Sequence, residues 1–142
     1  MARYLLDTNI IVYLITQDHH SVSKDVKSIL QNYENSFLIS METVEELIVA
    51  YRAKKLLSKI FPTAIQMVES LQRDYGLHIV QVDMEVMRTL ANLTINEIEK
   101  HYDPSDHIII SQAITMKIPL ISSDGKFPFY RKQGLDLVYN DK

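Results

Sequence analysis

The sequence begins with a carboxylate inside an otherwise apolar run, which limits how the chain can start to fold. Residues 4–6 have the character of a short buried strand, and apolar sequence resumes at residues 10–15. Between them, Asp7, Thr8 and Asn9 are residue types that end a strand and cap the next helix. Two interpretations are open. Asp7 or Asn9 caps the helix, or Asp7 lies at the carboxyl edge of a central parallel strand, where open α/β sheets bind ligands.

Further along the chain, apolar runs of strand type alternate with segments of helical periodicity. Four more strands are predicted, at residues 37–39, 77–82, 119–122 and 135–139. Helices are predicted between them, at residues 22–33, 40–51, 62–76, 83–98 and from residue 103 onward. Strands separated by helices are joined by right-handed crossovers. The sequence therefore predicts an α/β fold with a central parallel sheet of about five short strands and helices on both faces.

Composition narrows the class of protein. With 142 residues, of which 46% are hydrophobic and 23% charged, the chain fits one domain over residues 1–142. The absence of cysteine excludes disulfides, thiolate zinc sites and cysteine nucleophiles. The net charge of -3 argues against a protein that coats nucleic acid through a positive field. It does not exclude a nuclease, because an enzyme that gathers carboxylates around metal ions is acidic by formal count.

The apolar start of the chain does not have the pattern of a targeting segment. Asp7 and Asn9 interrupt the hydrophobic run, and no small-residue cleavage site follows it. No apolar run approaches the roughly 20 residues that cross a bilayer. We therefore expect a cytoplasmic protein that does not span a membrane.

Three aspartates are predicted at one edge of the sheet, where strands end and helices begin: Asp7, Asp106 and Asp124. Asp106 is also in line with the apolar stripe of its helix, which includes Ile109, and a solvated acid has no reason to be there. The alternative for Asp106 is an acid of the first helical turn, in a capping arrangement with Asp103. Both interpretations of Asp106 stay open, whereas Asp103 is assigned to capping.

A fourth acid is expected from the helix that follows Ser40. Its predicted apolar face runs through Met41, Val44, Ile48 and Tyr51. That places Glu42 nearly opposite, in solvent, and puts Glu45 and Glu46 on different flanks of the helix. Periodicity prefers Glu46 only weakly as a site residue.

If Asp7, Glu46, Asp106 and Asp124 converge, their charges must be offset. Two like charges about 5 Å apart repel by about 3 kcal/mol at an effective dielectric of about 20. Either some carboxylates stay protonated or a divalent cation lies among them, and an all-oxygen donor set suits Mg²⁺ or Mn²⁺. Because Mg²⁺ takes substrate phosphate oxygens, the natural chemistry is phosphodiester hydrolysis.

Four segments, in order and with suitable spacing, carry a resemblance to a known family. They are Asp7-Thr8-Asn9, the set Ser40, Thr43, Glu46 and Leu47, the run His101-Tyr-Asp-Pro-Ser-Asp-His-Ile-Ile-Ile-Ser-Gln-Ala113, and the run Leu120-Ile-Ser-Ser-Asp-Gly-Lys-Phe127. Together they resemble the motifs of the PIN domain, the nuclease fold of VapC-type toxins. The resemblance spans nearly the whole chain and implies a PIN-like three-layer fold.

The resemblance also implies a site and an activity. It selects Glu46 over Glu45 and implies metal binding by Asp7, Glu46, Asp106 and Asp124. It implies supporting polar roles for Thr8, Asn9 and Ser122. The implied activity is that of a Mg²⁺-dependent endoribonuclease, with Mn²⁺ able to substitute. The implied partners are RNA as substrate, a small antitoxin protein that blocks the site, and a second copy of the chain in a homodimer.

The chain departs from the family pattern at three positions. Ser105 replaces the usual Phe, Ser111 replaces the usual Ala, and His107 replaces the usual Arg, which is expected to change how substrate phosphates are held. His101 matches the motif, and we expect it to make a structural hydrogen bond. Candidates for contacts to the RNA backbone are Lys54, Lys55, Lys126, Arg131 and Lys132.

Other functions are compatible with the same residues. The domain could be a PIN nuclease of RNA maturation or decay, or a non-catalytic interaction module whose acids only cap helices. A phosphate-transferring enzyme with an aspartyl nucleophile at Asp7 is disfavoured, because Asn9 occupies the position of the second aspartate.

Overall fold

A five-stranded sheet lies at the centre of the structure, a computed structural model that describes residues 1–53 and 56–142. Its strands are β1 (Arg3–Leu6), β2 (Ser36–Ser40), β3 (His78–Val80), β4 (Leu120–Ser122) and β5 (Leu137–Tyr139). They are all parallel, in the order β3-β2-β1-β4-β5, which confirms the predicted sheet. Since β2 and β3 extend the sheet on one side of β1 and β4 and β5 on the other, the strand order reverses between β1 and β4.

The helices connect these strands. They are α1 (Thr8–Thr16), α2 (Lys24–Gln31), α3 (Met41–Arg52), α4 (Leu56–Ile60), α5 (Ala64–Arg73), α6 (Met84–Asn92) and α7 (Pro104–Met116). Two short 3-10 helices, His19–Ser21 and Phe127–Gln133, complete the described elements. The prediction for residues 83–98 was too long, because α6 ends at Asn92. Within the ranges given above, none of the helices has the length and apolar character needed to cross a membrane.

Successive strand residues point to opposite faces of the sheet, and each face has its own apolar core. Leu6, Ile39 and Ile121 contribute to the core shared with α1, α3 and α5. Leu5, Leu38 and Leu120 contribute to the core shared with α7 and the second 3-10 helix. The alternation is the period of two expected for strands buried on both faces. It explains why these strands read as unbroken apolar runs.

The predicted helix caps are present. The Ser40 hydroxyl accepts from the Glu42 N–H at 3.1 Å, and a carboxylate oxygen of Asp83 accepts from the Val86 N–H at 3.1 Å. Asp103 caps α7 by accepting from the Ser105 N–H at 3.0 Å, which confirms its assignment. Each cap satisfies an N–H that the first turn of a helix leaves without a partner.

Asn140 links the end of the chain to two distant segments. Its side chain is buried, accepts from the Ser23 N–H at 2.7 Å, and donates to the Ser21 carbonyl at 2.7 Å. The same amide nitrogen lies 2.7 Å from the Ser123 hydroxyl. The Asn140 N–H donates to the Ser122 carbonyl at 2.8 Å. The residue therefore fixes the loop after β4 against the entry to α2.

Candidate metal centre

Asp7 occupies the point where the strand order reverses. Its N–H donates to the Ile121 carbonyl at 3.0 Å, and its side chain is 3% exposed. One carboxylate oxygen accepts from the Thr8 N–H at 2.8 Å, and the other accepts from the Ser122 hydroxyl at 2.7 Å and the Asn9 amide at 3.1 Å. Asp7 is thus the N-cap of α1 and also the centre of a polar cluster. A carboxylate has about four acceptor positions, so one remains for a further partner.

The surroundings of Asp7 oppose its ionisation. Burial raises the pKa of Asp7 to about 7, and repulsion from Asp106 and Glu46 adds to the rise, although the hydrogen bonds from Ser122 and Thr8 oppose it. The effect of Asp106 and Glu46 on this carboxyl shows that acids from three separate elements share one electrostatic environment.

Glu46 reaches the same region from α3. Its Oε1 accepts from the Thr8 hydroxyl at 2.6 Å, which joins α3 to the first residue of α1. Burial raises the pKa of the half-buried Glu46, with Asp103 as the first of the acids that repel it. Glu45, in contrast, is exposed.

The predicted facing of α3 holds for Val44, Ile48 and Tyr51, which pack into the core, but it was wrong for Met41 and Glu42. The buried face runs through Thr43, Val44 and Leu47, whereas Met41 is 44% exposed. Thr43 is polar but buried, so a pattern based only on apolar side chains misplaces the buried face of α3. Glu42 is consequently half-buried rather than solvated, and it accepts from the Ser105 hydroxyl at 2.9 Å. Ser105, in place of the usual Phe, therefore connects α7 to α3.

Asp106, in the first turn of α7, has a side chain that is 17% exposed. Burial raises its pKa to about 7, and repulsion from Asp103, Asp124 and Glu46 adds to the rise. Lys126 lies close enough to oppose that rise. Oδ2 of Asp106 is 2.9 Å from Nε2 of His101. Both interpretations of Asp106 from the sequence hold: it is an acid of the first turn of α7, and its side chain points inward.

Asp124 follows β4 and is held by its own loop. Its N–H donates to the Ser122 hydroxyl at 3.0 Å, and its Oδ1 accepts from the Lys126 N–H at 2.9 Å. Ser122 thereby contacts both Asp124 and Asp7. Asn9 contacts the same loop, because its Oδ1 accepts from the Ser123 N–H at 3.2 Å. The residues given supporting roles at the sequence level, Thr8, Asn9 and Ser122, thus each touch a carboxylate or the loop that carries one.

Two histidines near Asp106 are buried. His107 is buried, and its Nε2 donates to the His101 carbonyl at 2.8 Å. The His107 side chain is turned inward, and the expectation that replacement of the usual Arg changes how substrate phosphates are held stays a prediction. Burial lowers the pKa of His101 and of His107, which favours the neutral form of both rings.

Sequence reasoning left two members of this region out of the site. His101 was expected to make a structural hydrogen bond and was not counted among the site residues, and its ring nitrogens contact both Tyr130 and Asp106. Asp103 was assigned to capping, yet it is one of the acids whose charge raises the pKa of Glu46 and Asp106. The turn before α7 brings residues 101 and 103 close to residue 106. A linear sequence motif does not show this proximity.

The residues fit a divalent cation. Ligand atoms of Glu46, Asp103 and Asp106 lie within 4.8 Å of one another, as do those of His101, Asp106 and Asp124. Two oxygens on one Mg²⁺ at about 2.1 Å are at most about 4.2 Å apart, so small side-chain movements would close the all-oxygen set on an ion. Asp7 belongs to neither set. A cation would also offset the repulsion that raises the pKa values of these acids. Asp106 is common to both sets.

Comparison with known proteins defines the class. The model of the PIN domain family matches residues 4–134. The chain therefore belongs to the PIN domain family, which confirms the resemblance found in its motifs. No curated protein matches the chain significantly.

Solved structures with the same fold include VapBC proteins from several bacteria. The chain is similar to one in VapBC2 from Rickettsia felis bound to a DNA fragment from their promoter, with 22% identity, a TM-score of 0.71, and coverage of 98% of this chain and 99% of that one. It is also similar to a chain in VapBC-1 from nontypeable Haemophilus influenzae, with 23% identity, a TM-score of 0.69, and coverage of 99% of each chain. A third similar chain is in VapBC-5 from Mycobacterium tuberculosis, a member of the VapBC family of toxin-antitoxin systems. It has 18% identity, a TM-score of 0.68, and coverage of 98% of this chain and 99% of that one. At these identities the similarity establishes the fold.

Proposed function

We propose that residues 1–142 form a single PIN nuclease domain that hydrolyses RNA phosphodiester bonds with Mg²⁺, for which Mn²⁺ substitutes. One observation supports the proposal: Asp7, Glu46, Asp106 and Asp124 come from four separate stretches, and Asp106 shares repulsion with each of the other three acids. For Asp7, Glu46 and Asp106 the pKa is raised, chiefly by burial. Acids that only cap helices do not need to share such an environment.

Each residue has a defined part in this proposal. Asp7, Glu46, Asp106 and Asp124 hold the metal. Thr8, Asn9 and Ser122 orient them through the hydrogen bonds that they donate to Glu46 and Asp7. Without a cation these acids would repel an RNA phosphate. Bound Mg²⁺ would reverse that local potential and act as a Lewis acid toward the phosphate.

We also propose that the domain is the toxin of a toxin–antitoxin pair and acts in the cytoplasm as a homodimer blocked by a small antitoxin. The support is the near-complete coverage of VapBC chains from three bacteria, one of them described as part of a toxin-antitoxin system. A PIN nuclease of RNA maturation remains the alternative at the level of biology. A short neighbouring reading frame that encodes the partner would separate the two.

Cleavage of RNA by purified protein tests the activity. Asp106→Asn should reduce Mg²⁺- or Mn²⁺-dependent cleavage at least about 100-fold, since loss of even an outer partner of a metal ligand costs about 10- to 100-fold. Circular dichroism would verify that the fold is retained. Unchanged cleavage by the folded variant would refute the proposal.

Glu46 and Glu45 provide a matched pair on one helix. Glu46→Gln should reduce cleavage strongly, because it removes a charge from the acidic cluster, while Glu45→Gln should leave it near the wild-type rate because Glu45 is exposed. Initial rates at saturating Mn²⁺, followed with a fluorescent RNA, would distinguish the two. The reverse order of effects would contradict the assignment of Glu46.

A further inference from the structure

A chain of hydrogen bonds inside the protein ends at Asp106. The Asn96 N–H donates to the Tyr130 hydroxyl at 3.1 Å. The same hydroxyl is 2.9 Å from Nδ1 of His101, and Nε2 of His101 is 2.9 Å from Oδ2 of Asp106. Tyr130 is fully buried and His101 is 2% exposed, so solvent does not compete for these contacts.

The direction of this chain is set by its two ends. A backbone N–H only donates, so the Tyr130 oxygen accepts at the Asn96 end and retains its proton for Nδ1 of His101. A carboxylate that binds a cation is ionised and only accepts, so Nε2 of His101 must carry the ring proton. Every link then has one donor and one acceptor, and a single histidine tautomer satisfies them all.

The position of the His101 ring is also fixed by packing. Its carbonyl accepts from Nε2 of His107, and its ring lies 5.5 Å from that of Phe127 and 5.6 Å from that of Tyr130, centroid to centroid. A ring held in this way can hold the carboxylate in turn. Its Nε2 hydrogen-bonds Oδ2 of Asp106, which leaves Oδ1 for the cation.

We propose that His101 is a positioning residue that orients the carboxylate of Asp106 for metal binding, with Tyr130 setting its tautomer. This rests on the proposed function, in which Asp106 is a metal ligand. A neutral imidazole suits the task, because a lysine or arginine at this position would offset the charge of Asp106 and compete with the metal. The arrangement mirrors the carboxylate–histidine pairs that orient ligands around other metals.

The alternative use of His101 is as a ligand itself, since its ring nitrogen lies within the 4.8 Å set with Asp106 and Asp124. In that case Nε2 would lose its proton and the hydrogen bond to Asp106. Glutamine separates the two roles. Its amide nitrogen lies about where Nε2 lies and donates a hydrogen bond, but it is a poor metal ligand.

Calorimetric titration of Mn²⁺ into the full chain tests the proposal without relying on activity. His101→Ala should weaken Mn²⁺ binding about 10- to 100-fold, and His101→Gln should restore most of the loss. Tyr130→Phe should weaken binding by about 2- to 10-fold, the effect of one lost hydrogen bond. The double variant His101→Ala/Tyr130→Phe should bind no more weakly than His101→Ala, because Tyr130 acts through His101.

Tyr51→Phe is the matched control. It removes a phenol hydrogen bond, to the Phe61 carbonyl at 2.9 Å, that has no connection to Asp106. It should bind Mn²⁺ as the wild type does. If His101→Ala fails to fold, His101→Gln and Tyr130→Phe still decide the question.

Three results would overturn the inference. His101→Ala or Tyr130→Phe could bind Mn²⁺ as tightly as the wild type, their losses could add in the double variant, or His101→Gln could be as weak as His101→Ala. The first result, with binding lost in Asp106→Asn, would leave the proposed function standing. Failure of the wild-type protein to bind Mn²⁺ would overturn both.

Discussion

Asp7 shows how one residue serves both local structure and a site. It caps α1 through one oxygen, as its position in the sequence suggests, and it collects hydrogen bonds from Asn9 and Ser122 on the other. The two interpretations that the sequence left open are therefore compatible. Ionising this buried group in the metal-free protein costs stability, which is the source of a measurable pH dependence.

In the metal-free protein, Asp7→Asn should flatten the dependence of stability on pH. The folded-state pKa of Asp7 is raised from 3.8 to about 7. Between these values the folded state binds more protons than the unfolded state, so the free energy of unfolding falls as the pH rises. Asparagine has no proton to lose in that window. Urea denaturation at pH 4, 6 and 8 in the presence of EDTA measures the slope.

The slope is the readout, because asparagine also alters the hydrogen bonds to Ser122 and Asn9. Asp136→Asn, at an exposed aspartate, is the control and should retain the wild-type slope. A slope for Asp7→Asn equal to that of the wild type would show that Asp7 does not titrate as described.

At the level of elements, residues with strong local signals were predictable and residues fixed by packing were not. The β1–α1 junction and the Asp103-Pro104 start of α7 were recognisable because caps and helix starts are local in sequence. The 3-10 helix Phe127–Gln133 was missed because it has no side-chain cap and no 3.6-residue period. The facing of α3 and the inward turn of His107 depend on neighbours from other elements, which a single sequence does not place.

The Thr8 hydroxyl adds hydrogen bonds to the apolar contact between α1 and α3, one to Glu46 and one to Thr43. Thr8→Val keeps the shape of the side chain but removes the donor to Glu46, whereas Thr8→Ser keeps the donor. We expect Thr8→Val to weaken Mn²⁺ binding by about 10- to 100-fold, since hydrogen bonds to charged groups contribute about 1.5 to 3 kcal/mol. Thr8→Ser should stay near the wild type. Calorimetry on both variants tests this, and equal affinities would mean that the Thr8 hydroxyl does not support Glu46.

At the scale of the whole molecule, the sheet brings together acids that lie far apart in the chain. Asp7 and Asp124 follow β1 and β4, the pair of strands between which the order reverses. This placement was predictable from the alternation of strands and helices, because parallel strands end at a common edge. The coupling of His101 and Tyr130 to the site was not, because it depends on how α7 packs against the 3-10 helix.

If the domain is a toxin, its expression alone should arrest bacterial growth, and the arrest should require the acidic site. Asp106→Asn should grow normally at equal protein level, and co-expression of the product of a neighbouring short reading frame should restore growth to the wild-type chain. Growth curves with immunoblots provide the measurement. Growth arrest by Asp106→Asn equal to that of the wild type would contradict toxicity through nuclease action.

The side chain of Asn140 has a practical consequence for preparations of this protein. Proteolysis that removed the chain from residue 140 onward would leave every proposed ligand in place, yet Ser21, Ser23 and Ser123 would lose their shared partner. The loop that carries Asp124 would then be held less firmly. We expect such trimmed molecules, identified by intact mass, to bind Mn²⁺ more weakly than the full chain, so the segment after β5 affects the metal affinity of a sample.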